Sequence, residues 1–507
     1  MNIATILEQR ARYRPHAVAL CFGDRAYTFH DLDRGAGGVA EQLVGLGVKP
    51  GHRVAVLVPS RPEFILAYYG CQKVGASVVS INSAFKRDEI AHVLKNSEPS
   101  VLITTVSSWP SLPPRQDVPS VVHYLTIDGA PEGARALDCS RAATFRAVDR
   151  ERDDTASILY TSGTTGSTKG VMLTHANVSF NTLIANHYLA MTADDRILCA
   201  VPLFHTTGQN SLMNGGINAG ATVFLHERFS AEHAVEAIAR HRITVLIGVP
   251  TMYIRLLEAA GSARFLSLRR CFSAGAPMPP DVAAEWRERS GVEIEEAWGL
   301  TETTAFATYN HPVEVRRGSA GTPILSVDVQ VVDGQDQPVA DGEVGELVVR
   351  GPNIMKGYLG DPEATARALR NGWLHSGDVG YLGEDGYLYV VDRLKDMVNV
   401  SGFKVSPTEV EHVLSQHPGV LEVSVAPRPH AVRGECVAAF VVLKRGAMPS
   451  AGELVAYCRD RMASYKVPSS IDFVQALPKG ATGKVLRREL RDRAAAMPPI
   501  TGRGETT

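Results

Sequence analysis

Residues 52–82 read HRVAVLVPSRPEFILAYYGCQKVGASVVSIN and contain two apolar runs on either side of a longer segment. The runs HRVAVLVP and ASVVSIN have the length and composition of buried strands. The segment between them is typical of a helix, closed by Gly75. A strand, a helix and a second strand in succession are the unit from which parallel sheets are built. The stretch therefore predicts a parallel sheet covered by helices.

The same alternation recurs along the first half of the chain. SVLITT (100–105) reads as another strand, and AEHAVEAIARHR (231–242) followed by ITVLIGVP (243–250) reads as a helix and a strand. From residue 324 the pattern changes to short strands separated by Gly and Asp turns, as in GEVGELVVRG. This favours a small antiparallel sheet or barrel. We predict an α/β fold, with a large N-terminal domain of parallel α/β sheets plus a small β-barrel.

A compact α+β unit follows the segment VVDRLKD. It opens with the helix SPTEVEHVLSQH (406–417), for which Ser406 is the expected N-cap, Pro407 the first helical residue and Glu409 the third residue after the cap. We place the domain boundary between residues 392 and 393. The prediction is an N-terminal domain at 1–392, a small C-terminal domain at 393–495 and a disordered tail at 496–507.

Composition excludes several classes of protein. The chain has 507 residues, of which 45% are hydrophobic and 21% charged, as in ordinary soluble proteins. The net charge of -2 gives no reason to expect a nucleic-acid partner. The first residues do not read as a secretory signal, and the longest apolar runs are too short to span a membrane. The seven scattered cysteines fit reduced thiols, so we predict a cytoplasmic protein.

Charge is unevenly divided along the chain. Residues 393–493 hold 16 Lys and Arg against 10 Asp and Glu, a net charge of +6, which leaves -8 for the remainder. The small domain is therefore basic and suits a phosphorylated partner.

Three glycines, six serine and threonine residues and a lysine occur together in YTSGTTGSTKG (160–170), which follows the strand ASILY. Glycines allow close approach of the backbone to a ligand, and hydroxyls, backbone N–H groups and a lysine together suit a polyphosphate. The spacing is not that of a Walker A loop, because Gly163 and Gly166 are three apart and Lys169 is adjacent to neither. A flexible surface loop is the alternative, and this segment alone does not decide between them.

Four further motifs decide between a phosphate-binding loop and a flexible surface loop. They are AWGLTETT (297–304), HSGDVGYLGEDGYLYVVDRLKD (375–396), VNVSGFKVSPTEVE (398–411) and PKGATGKVLRREL (478–490). In this order and spacing the chain resembles the adenylate-forming superfamily, which comprises acyl- and aryl-CoA synthetases, adenylation domains of peptide synthetases and luciferases. The resemblance covers roughly residues 6–493 and is strongest to fatty acyl- or aryl-CoA ligases.

The resemblance implies an ATP-dependent ligase with two half-reactions. A carboxylate first attacks the α-phosphate of ATP to give acyl-AMP and pyrophosphate, and the thiol of coenzyme A then gives acyl-CoA and AMP. ATP, Mg²⁺ and coenzyme A are the implied cofactors. The C-terminal domain is expected to be mobile and to rotate between the two steps.

The resemblance also assigns residues to the nucleotide. Thr301 would contact the α-phosphate, Glu302 would bind magnesium, Asp378 would accept both ribose hydroxyls and Arg393 would contact ribose and phosphate. The phosphate loop and the walls around adenine would be formed by Thr161, Ser162, Gly163, Thr164, Thr165, Gly166 and Lys169, and by Ser273, Ala274, Gly275, Ala276, Pro277, Trp298 and Gly299.

In the small domain, Lys484 matches the adenylation lysine, whose ammonium would stabilise charge that develops in the transition state. A solvated lysine in a basic helix start is the alternative. Lys395 would be the hinge residue, and Gly402 would line the tunnel for the thiol. Arg433, Tyr465 and Lys466 fall where some relatives contact the nucleotide of coenzyme A. The sequence departs from its relatives at His430, where Asp is common.

The acid is expected between the segment after PLFH and the neighbouring strand ends. His205 would gate this pocket or, alternatively, be a core histidine. The other predicted lining residues are Thr206, Thr207, Gly208, Asn210, Ser211, Val249, Thr251, Ser273, Ala274, Gly275, Trp298, Gly299, Leu300, Ala305 and Phe306. The wall favours a medium-chain fatty or aromatic carboxylic acid. An acidic partner for an amino group is absent from the sequence SLMNGG (211–216), which argues against an amino acid.

Other functions remain open at this stage. The acceptor could be a carrier protein, in which case the chain is a stand-alone adenylating enzyme of a biosynthetic pathway. A relative that has lost catalysis is disfavoured because Lys484, Glu302, Asp378 and Arg393 are all present. A luciferase-type oxygenase shares the same motifs. The chain could also form a homodimer.

Overall fold

The computed structural model describes residues 1–161, 168–311, 313–393, 396–401, 403–480 and 484–500. The chain forms two compact units. The larger unit consists of Met1–Val329 and Val348–His375, and the smaller unit consists of Gln330–Leu347 and Ser376–Thr507. The predicted domain boundary between residues 392 and 393 remains a prediction.

The described residues form helices and strands with the following bounds. The α-helices are α1 (Thr5–Tyr13), α2 (Phe29–Gly45), α3 (Pro62–Val74), α4 (Arg87–Ser97), α5 (His175–Tyr188), α6 (Gly215–Ala219), α7 (Ala231–His241), α8 (Pro250–Ala260), α9 (Pro280–Ser290), α10 (Pro362–Ala368), α11 (Pro407–Ser415), α12 (Ala451–Arg459) and α13 (Arg487–Ala496). The strands are β1 (Val18–Phe22), β2 (Arg25–Thr28), β3 (Arg53–Leu57), β4 (Ser77–Ser80), β5 (Val101–Thr104), β6 (His123–Thr126), β7 (Arg135–Ala136), β8 (Thr155–Thr161), β9 (Lys169–Thr174), β10 (Arg196–Cys199), β11 (Thr222–Leu225), β12 (Val245–Gly248), β13 (Arg270–Ala274), β14 (Ile294–Ala297), β15 (Thr308–Tyr309), β16 (Thr322–Pro323), β17 (Asp328–Val332), β18 (Gly345–Arg350), β19 (Gly357–Tyr358), β20 (Leu369–Arg370), β21 (Trp373–Leu382), β22 (Leu388–Arg393), β23 (Val398–Val400), β24 (Phe403–Val405), β25 (Val420–His430), β26 (Gly434–Leu443) and β27 (Ser470–Phe473).

An eight-stranded sheet of the larger unit has the order β19-β9-β8-β4-β3-β5-β6-β7. Strands β3, β4 and β5 run parallel, and α3 connects β3 to β4. The strand–helix–strand unit predicted from residues 52–82 is therefore confirmed. Gly75 ends α3 with a φ of 79°, a left-handed conformation that glycine adopts without steric cost.

A seven-stranded sheet of the same unit has the order β14-β13-β12-β10-β11-β1-β2. Its strands pair in parallel from β14 to β1, and β2 closes the edge as an antiparallel hairpin with β1. Helices α7, α8 and α9 contribute to a core in which Trp286 stacks on Phe265 with ring centroids 4.8 Å apart. The parallel pairing brings the carboxyl ends of β10, β12, β13 and β14 to one edge of the sheet.

A third sheet has five strands in the order β17-β18-β21-β20, with β22 also paired to β21. Strand β21 is antiparallel to both β20 and β22. This sheet corresponds to the small antiparallel element that the Gly- and Asp-rich turns predicted. The predicted α/β fold class is confirmed.

The sheet of the smaller unit has the order β24-β23-β26-β25, and β27 pairs in parallel with β26. Helix α11 begins as predicted, because the Ser406 hydroxyl accepts a hydrogen bond from the Glu409 N–H and Pro407 opens the helix. Asp392 accepts hydrogen bonds from the Ser406 hydroxyl, at 3.0 Å, and from the Thr408 N–H, at 2.9 Å. This carboxylate therefore reinforces the helix N-terminus.

Residues 498–500 lie beside β25, and the predicted disordered tail at 496–507 remains a prediction. The Ile500 N–H donates to the Pro429 carbonyl, and the Ile500 carbonyl accepts from the Ala431 N–H. The Arg428 guanidinium also donates to the Pro498 carbonyl at 2.9 Å. These bonds hold residues 498–500 against β25. Residues 501–507 lie outside the described part of the chain.

Among the helices of the described ranges, none has the length and apolar character needed to cross a bilayer.

Candidate functional site

The edge of the seven-stranded sheet gathers the segments that the sequence assigned to nucleotide and acid. The loop from Ser273 to Pro277 follows β13, and the segment from Trp298 to Glu302 follows β14. His205 follows β10 in the chain. Ligands of parallel α/β sheets bind at the carboxyl ends of the strands. The pairing of these strands therefore brings segments that are far apart in the chain to one edge of the sheet.

Glu302 lies in a tight turn. Thr301–Thr303 form a single 3-10 turn, and Thr304 and Ala305 follow with positive φ angles of 57° and 107°. A Cβ atom on Gly299 would lie 2.0 Å from the carbonyl oxygen of Ala305, so this position requires glycine. The turn holds the Glu302 side chain half-buried.

Two predicted phosphate-site residues meet at a tyrosine that the sequence analysis missed. The Tyr358 hydroxyl donates to Glu302 Oε1 at 2.9 Å, and Lys169 Nζ lies over the Tyr358 ring, 4.9 Å from its centroid. Thr161 and Lys169 are paired across the hairpin of β8 and β9. Ser162, Gly163, Thr164, Thr165 and Gly166 lie outside the described residues. Local patterns could not reveal Tyr358, because its partners are distant in sequence.

The described residues fit a magnesium ion held largely by a nucleotide. Within those residues no group of three His, Cys, Asp or Glu side chains gathers into a metal cluster. Glu302 therefore offers a single carboxylate, and Mg²⁺ in nucleotide sites is bound by one or two carboxylates with phosphate oxygens as further ligands. On the adenine side, the Ser273 hydroxyl is fully buried and has no hydrogen-bond partner within the described chain. A buried polar atom of this kind is available to a ligand.

Glu296 links two loops near the predicted adenine wall, one at Met278 and one at Gly318. Its two carboxylate oxygens accept hydrogen bonds from the Met278 N–H, at 2.9 Å, and the Gly318 N–H, at 3.3 Å. Burial raises the pKa of Glu296 to about 7, against the opposite effect of these two N–H groups. The neighbouring Glu295 bonds to the Tyr309 hydroxyl, and burial raises its pKa to about 7 as well.

Glu296 makes stability depend on pH. The unfolded side chain loses its proton near pH 4.5, whereas the folded one keeps it until about pH 7. Between these values the folded state binds more protons, so stability falls as pH rises. Relative to Glu296→Gln, the wild-type protein should lose up to about 3 kcal/mol between pH 5 and pH 8. Urea unfolding of both proteins at both pH values tests this, and an unchanged difference would contradict it. Glu295 is present in both proteins, so its contribution to the pH dependence cancels in the comparison.

The smaller unit brings together three residues predicted to act on ATP. Asp378 on β21 and Arg393 on β22 are register partners, with Arg393 Nε 3.0 Å from Asp378 Oδ1. Lys484 is exposed as a residue, yet burial of its ammonium is the largest influence on its pKa and lowers it. The charge of Arg393 lowers this pKa further, and that of Asp378 raises it.

Backbone hydrogen bonds fix the segment that carries Lys484. The Gly480 N–H donates to the Lys484 carbonyl and the Leu486 N–H donates to the Pro478 carbonyl, both at 2.8 Å. Arg487 then anchors the following helix, with its guanidinium 2.9 Å from Asp392 and 2.5 Å from Glu411. Lys484 therefore lies between the backbone bond of Gly480 and the ion pairs of Arg487.

The turn between β23 and β24 gathers the predicted contacts for coenzyme A. The Ser401 N–H donates to the Arg433 carbonyl at 3.0 Å, and Phe403 stacks on Tyr465 with ring centroids 4.7 Å apart. Lys466 pairs with Glu409 at 2.6 Å, so its charge is partly balanced. Gly402 and Lys395 lie outside the described residues.

His430 has a local structural role. It is buried, and its Nδ1 accepts hydrogen bonds from the N–H groups of Val432, at 3.1 Å, and Arg433, at 3.2 Å. An acceptor of this kind is what an Asp side chain offers to a turn. The departure from the family pattern therefore replaces one acceptor of the turn by another.

The segment after His205 is a π-helix, Thr207–Asn214, continued by α6. Such helices are rare and occur frequently at functional sites. The Thr207 N–H donates to His205 Nδ1 at 3.3 Å. The Ser211 hydroxyl donates to Asn181 Oδ1 at 3.3 Å, while Asn181 Nδ2 is buried with no hydrogen-bond partner within the described chain. An unused amide donor therefore lies beside the predicted acid pocket.

Comparison with known proteins gives consistent matches over almost the whole chain. The family model of AMP-binding enzymes matches residues 7–359, and that of the AMP-binding enzyme C-terminal domain matches residues 409–484. The feruloyl-CoA synthase of Amycolatopsis sp is 38% identical over 496 residues, covering 96% of this chain and 97% of that protein.

Solved structures agree with these matches. ATP-bound MatB from Rhodopseudomonas palustris is 31% identical, with a TM-score of 0.91 over 97% of this chain and 99% of that one. O-succinylbenzoate coenzyme A synthetase (MenE) from Bacillus subtilis, in complex with ATP and magnesium ion, is 34% identical, with a TM-score of 0.84 over 96% of this chain and 98% of that one.

Proposed function

Because this chain belongs to the family of AMP-binding enzymes, we propose that it joins a carboxylic acid to coenzyme A at the expense of ATP. The predicted enzyme class, an AMP-forming acid–thiol ligase, is confirmed by the family and by relatives that are named CoA ligases. The observation that carries the proposal is the pairing of Arg393 with Asp378, whose Nε and Oδ1 lie 3.0 Å apart in the same unit as Lys484. A carrier protein as acceptor, a homodimer and a cytoplasmic location remain predictions.

In the first step the acid oxygen attacks the α-phosphorus and pyrophosphate leaves. Asp378 would accept the ribose hydroxyls, since a carboxylate suits a pair of neighbouring hydroxyl groups. The Lys484 ammonium would stabilise negative charge on the attacked phosphate. Glu302 would hold magnesium, which when bound supplies charge neutralisation to the polyphosphate. Lys169 would add a positive charge to the same group.

In the second step the thiol attacks the acyl carbon and AMP leaves. The turn of residues 401–403 would receive the thiol end of coenzyme A. Arg433 and Tyr465 touch this turn through Ser401 and Phe403, and they would contact the nucleotide end. The +6 charge of residues 393–493 supports a phosphorylated acceptor.

The acid is proposed to be a medium-chain fatty or aromatic carboxylic acid. The unpartnered Asn181 amide favours the aromatic class with a hydroxyl or ether substituent, because a buried donor without a partner is costly unless the substrate accepts its hydrogen bond. An unsubstituted alkyl chain offers no such acceptor.

Release of AMP and pyrophosphate from ATP and magnesium tests both parts of this proposal. We expect turnover that requires CoA, with hydroxylated and methoxylated cinnamates preferred over cinnamate and octanoate. Replacing Asn181 by Leu should reduce kcat/KM for the substituted acid by about 10-fold and leave that for cinnamate unchanged. Pyrophosphate release that CoA does not increase would contradict the CoA ligase and favour a carrier protein. An equal loss for both acids would exclude Asn181 as a specificity residue.

A further inference from the structure

Tyr358 lies on a short segment that ties the two parts of the predicted phosphate site together. The Lys356 N–H donates to the Met172 carbonyl at 2.9 Å and the Leu359 N–H donates to the Gly170 carbonyl at 2.8 Å. Both bonds attach the segment to β9, which leaves the Gly-rich loop. On its other side the Met355 N–H donates to the Glu302 carbonyl at 2.8 Å. The segment therefore links β9 to the turn that carries Glu302.

The Tyr358 ring carries a contact to each of two opposite charges. Its hydroxyl donates to Glu302 Oε1 at 2.9 Å, and Lys169 Nζ lies 4.9 Å from the ring centroid. The first is a hydrogen bond to a charged group and the second a cation–π contact. The cation lies over the face of the ring and the carboxylate lies at its edge, so the two charges are held at different points of one rigid group.

The surroundings keep this tyrosine in place as a donor. Tyr358 is half-buried, and its N–H donates to the Thr365 hydroxyl of α10 at 2.9 Å. The hydroxyl is the donor and the Glu302 carboxylate is the acceptor of the hydrogen bond between them.

We propose that Tyr358 is a positioning residue for magnesium–ATP, which holds the Glu302 carboxylate and the Lys169 ammonium apart and ready for the metal and the polyphosphate. The inference rests on the proposed function, since it assigns a task to the same site. Without the tyrosine, a flexible lysine and a glutamate in this region are free to neutralise each other. The lysine and the glutamate would then have to separate before the metal and the polyphosphate could bind.

The test is equilibrium binding of magnesium–ATP, measured by calorimetry without the acid. Tyr358→Phe keeps the ring under Lys169 but loses the hydrogen bond to Glu302. Its affinity for magnesium–ATP should fall about 10-fold to 100-fold, as expected for a lost hydrogen bond to a charged group. Tyr358→Leu removes the cation–π contact as well and should bind more weakly still. Formation of acyl-CoA from supplied acyl-AMP and CoA needs neither metal nor polyphosphate, and its rate should stay at the wild-type value.

A matched control lies on the same eight-stranded sheet. Tyr124 also has a cation over its ring, with Arg115 Cζ 4.4 Å from the centroid, and its hydroxyl has no hydrogen-bond partner in the described ranges. Tyr124→Phe should bind magnesium–ATP like the wild-type protein.

A double-mutant cycle tests whether Tyr358 acts through Glu302. In a Glu302→Ala background, replacing Tyr358 by Phe should cause no further loss of affinity, because the group on which it acts is gone. Wild-type affinity in Tyr358→Phe, or independent losses in the cycle, would overturn the inference, as would an equal loss of both half-reactions. Failure of the proposed function is separable, since it would appear as wild-type protein that binds magnesium–ATP but forms no acyl-CoA.

Discussion

Lys484→Ala is expected to slow formation of acyl-AMP by at least about 100-fold, as for the loss of one group that stabilises charge in a transition state. The charges of Arg393 and Asp378, in the same unit, both influence the pKa of its ammonium, which Arg393 lowers and Asp378 raises. The Gly480 N–H donates to the Lys484 carbonyl, and this bond positions the backbone that carries the lysine.

The same variant should leave the second half-reaction nearly unchanged. Thioester formation from supplied acyl-AMP requires no attack on ATP, and the lysine has no proposed part in it. The measurement is therefore a pair of single-turnover rates, one for acyl-AMP formed from acid and ATP and one for acyl-CoA formed from acyl-AMP and CoA. An equal loss in both rates would show that Lys484 acts on structure and not on the adenylation step.

A charge-matched control separates position from charge. Lys444 is an exposed lysine of the same unit. Lys444→Ala lowers the charge of that unit by the same amount and should leave both rates at their wild-type values. A comparable loss in this control would mean that the general positive field of the unit is responsible.

Lys73→Met is expected to destabilise the larger unit by about 3–5 kcal/mol, the usual cost of removing one partner from a buried ionic group. Lys73 is fully buried. Its ammonium donates to the Phe145 carbonyl at 2.8 Å and pairs with Glu8 at 2.7 Å and Asp33 at 2.8 Å. These contacts link α1, α2 and α3. Without the cation, two partly buried carboxylates would repel each other.

Thermal and urea unfolding of the full chain measure this loss. Lys95 lies exposed on α4, so Lys95→Met provides a control in which a lysine is replaced without burial. Neutralising both carboxylates, with Glu8→Gln and Asp33→Asn added to Lys73→Met, should recover a large part of the lost stability. If Lys73→Met lowered the free energy of unfolding by less than about 1 kcal/mol, the value expected for a surface ion pair, Lys73 would not be a buried ionic centre.

Local sequence patterns determined most of the fold. The alternation of strands and helices in residues 52–82 and 231–250 depends on periodicity over a few residues, and it was correct. The same holds for Gly75 as the end of α3 and for Ser406 as the start of α11, because helix caps involve only neighbouring residues.

The predictions of individual site residues depended on family motifs and not on local periodicity. The motifs named Asp378, Arg393 and Lys484 from segments far apart in the chain, and the structure places these residues in one cluster. Their roles stay predictions until the half-reactions are measured. The bonds of residues 498 and 500 to β25 have no signal in the composition of the chain end, because their partners lie about 70 residues away.

The sequence by itself determined the α/β class, the end of α3 at Gly75, the start of α11 at Ser406 and the family motifs, since each of these depends on residues close together in the chain. Only the tertiary structure decided that Tyr358 joins Glu302 to Lys169, that Lys73 is a buried ionic centre and that His430 serves as the acceptor of a turn. The first two depend on partners that folding brings from distant segments, and the third depends on the orientation of a buried ring. A pattern of neighbouring residues in the sequence carries no signal for any of these three features.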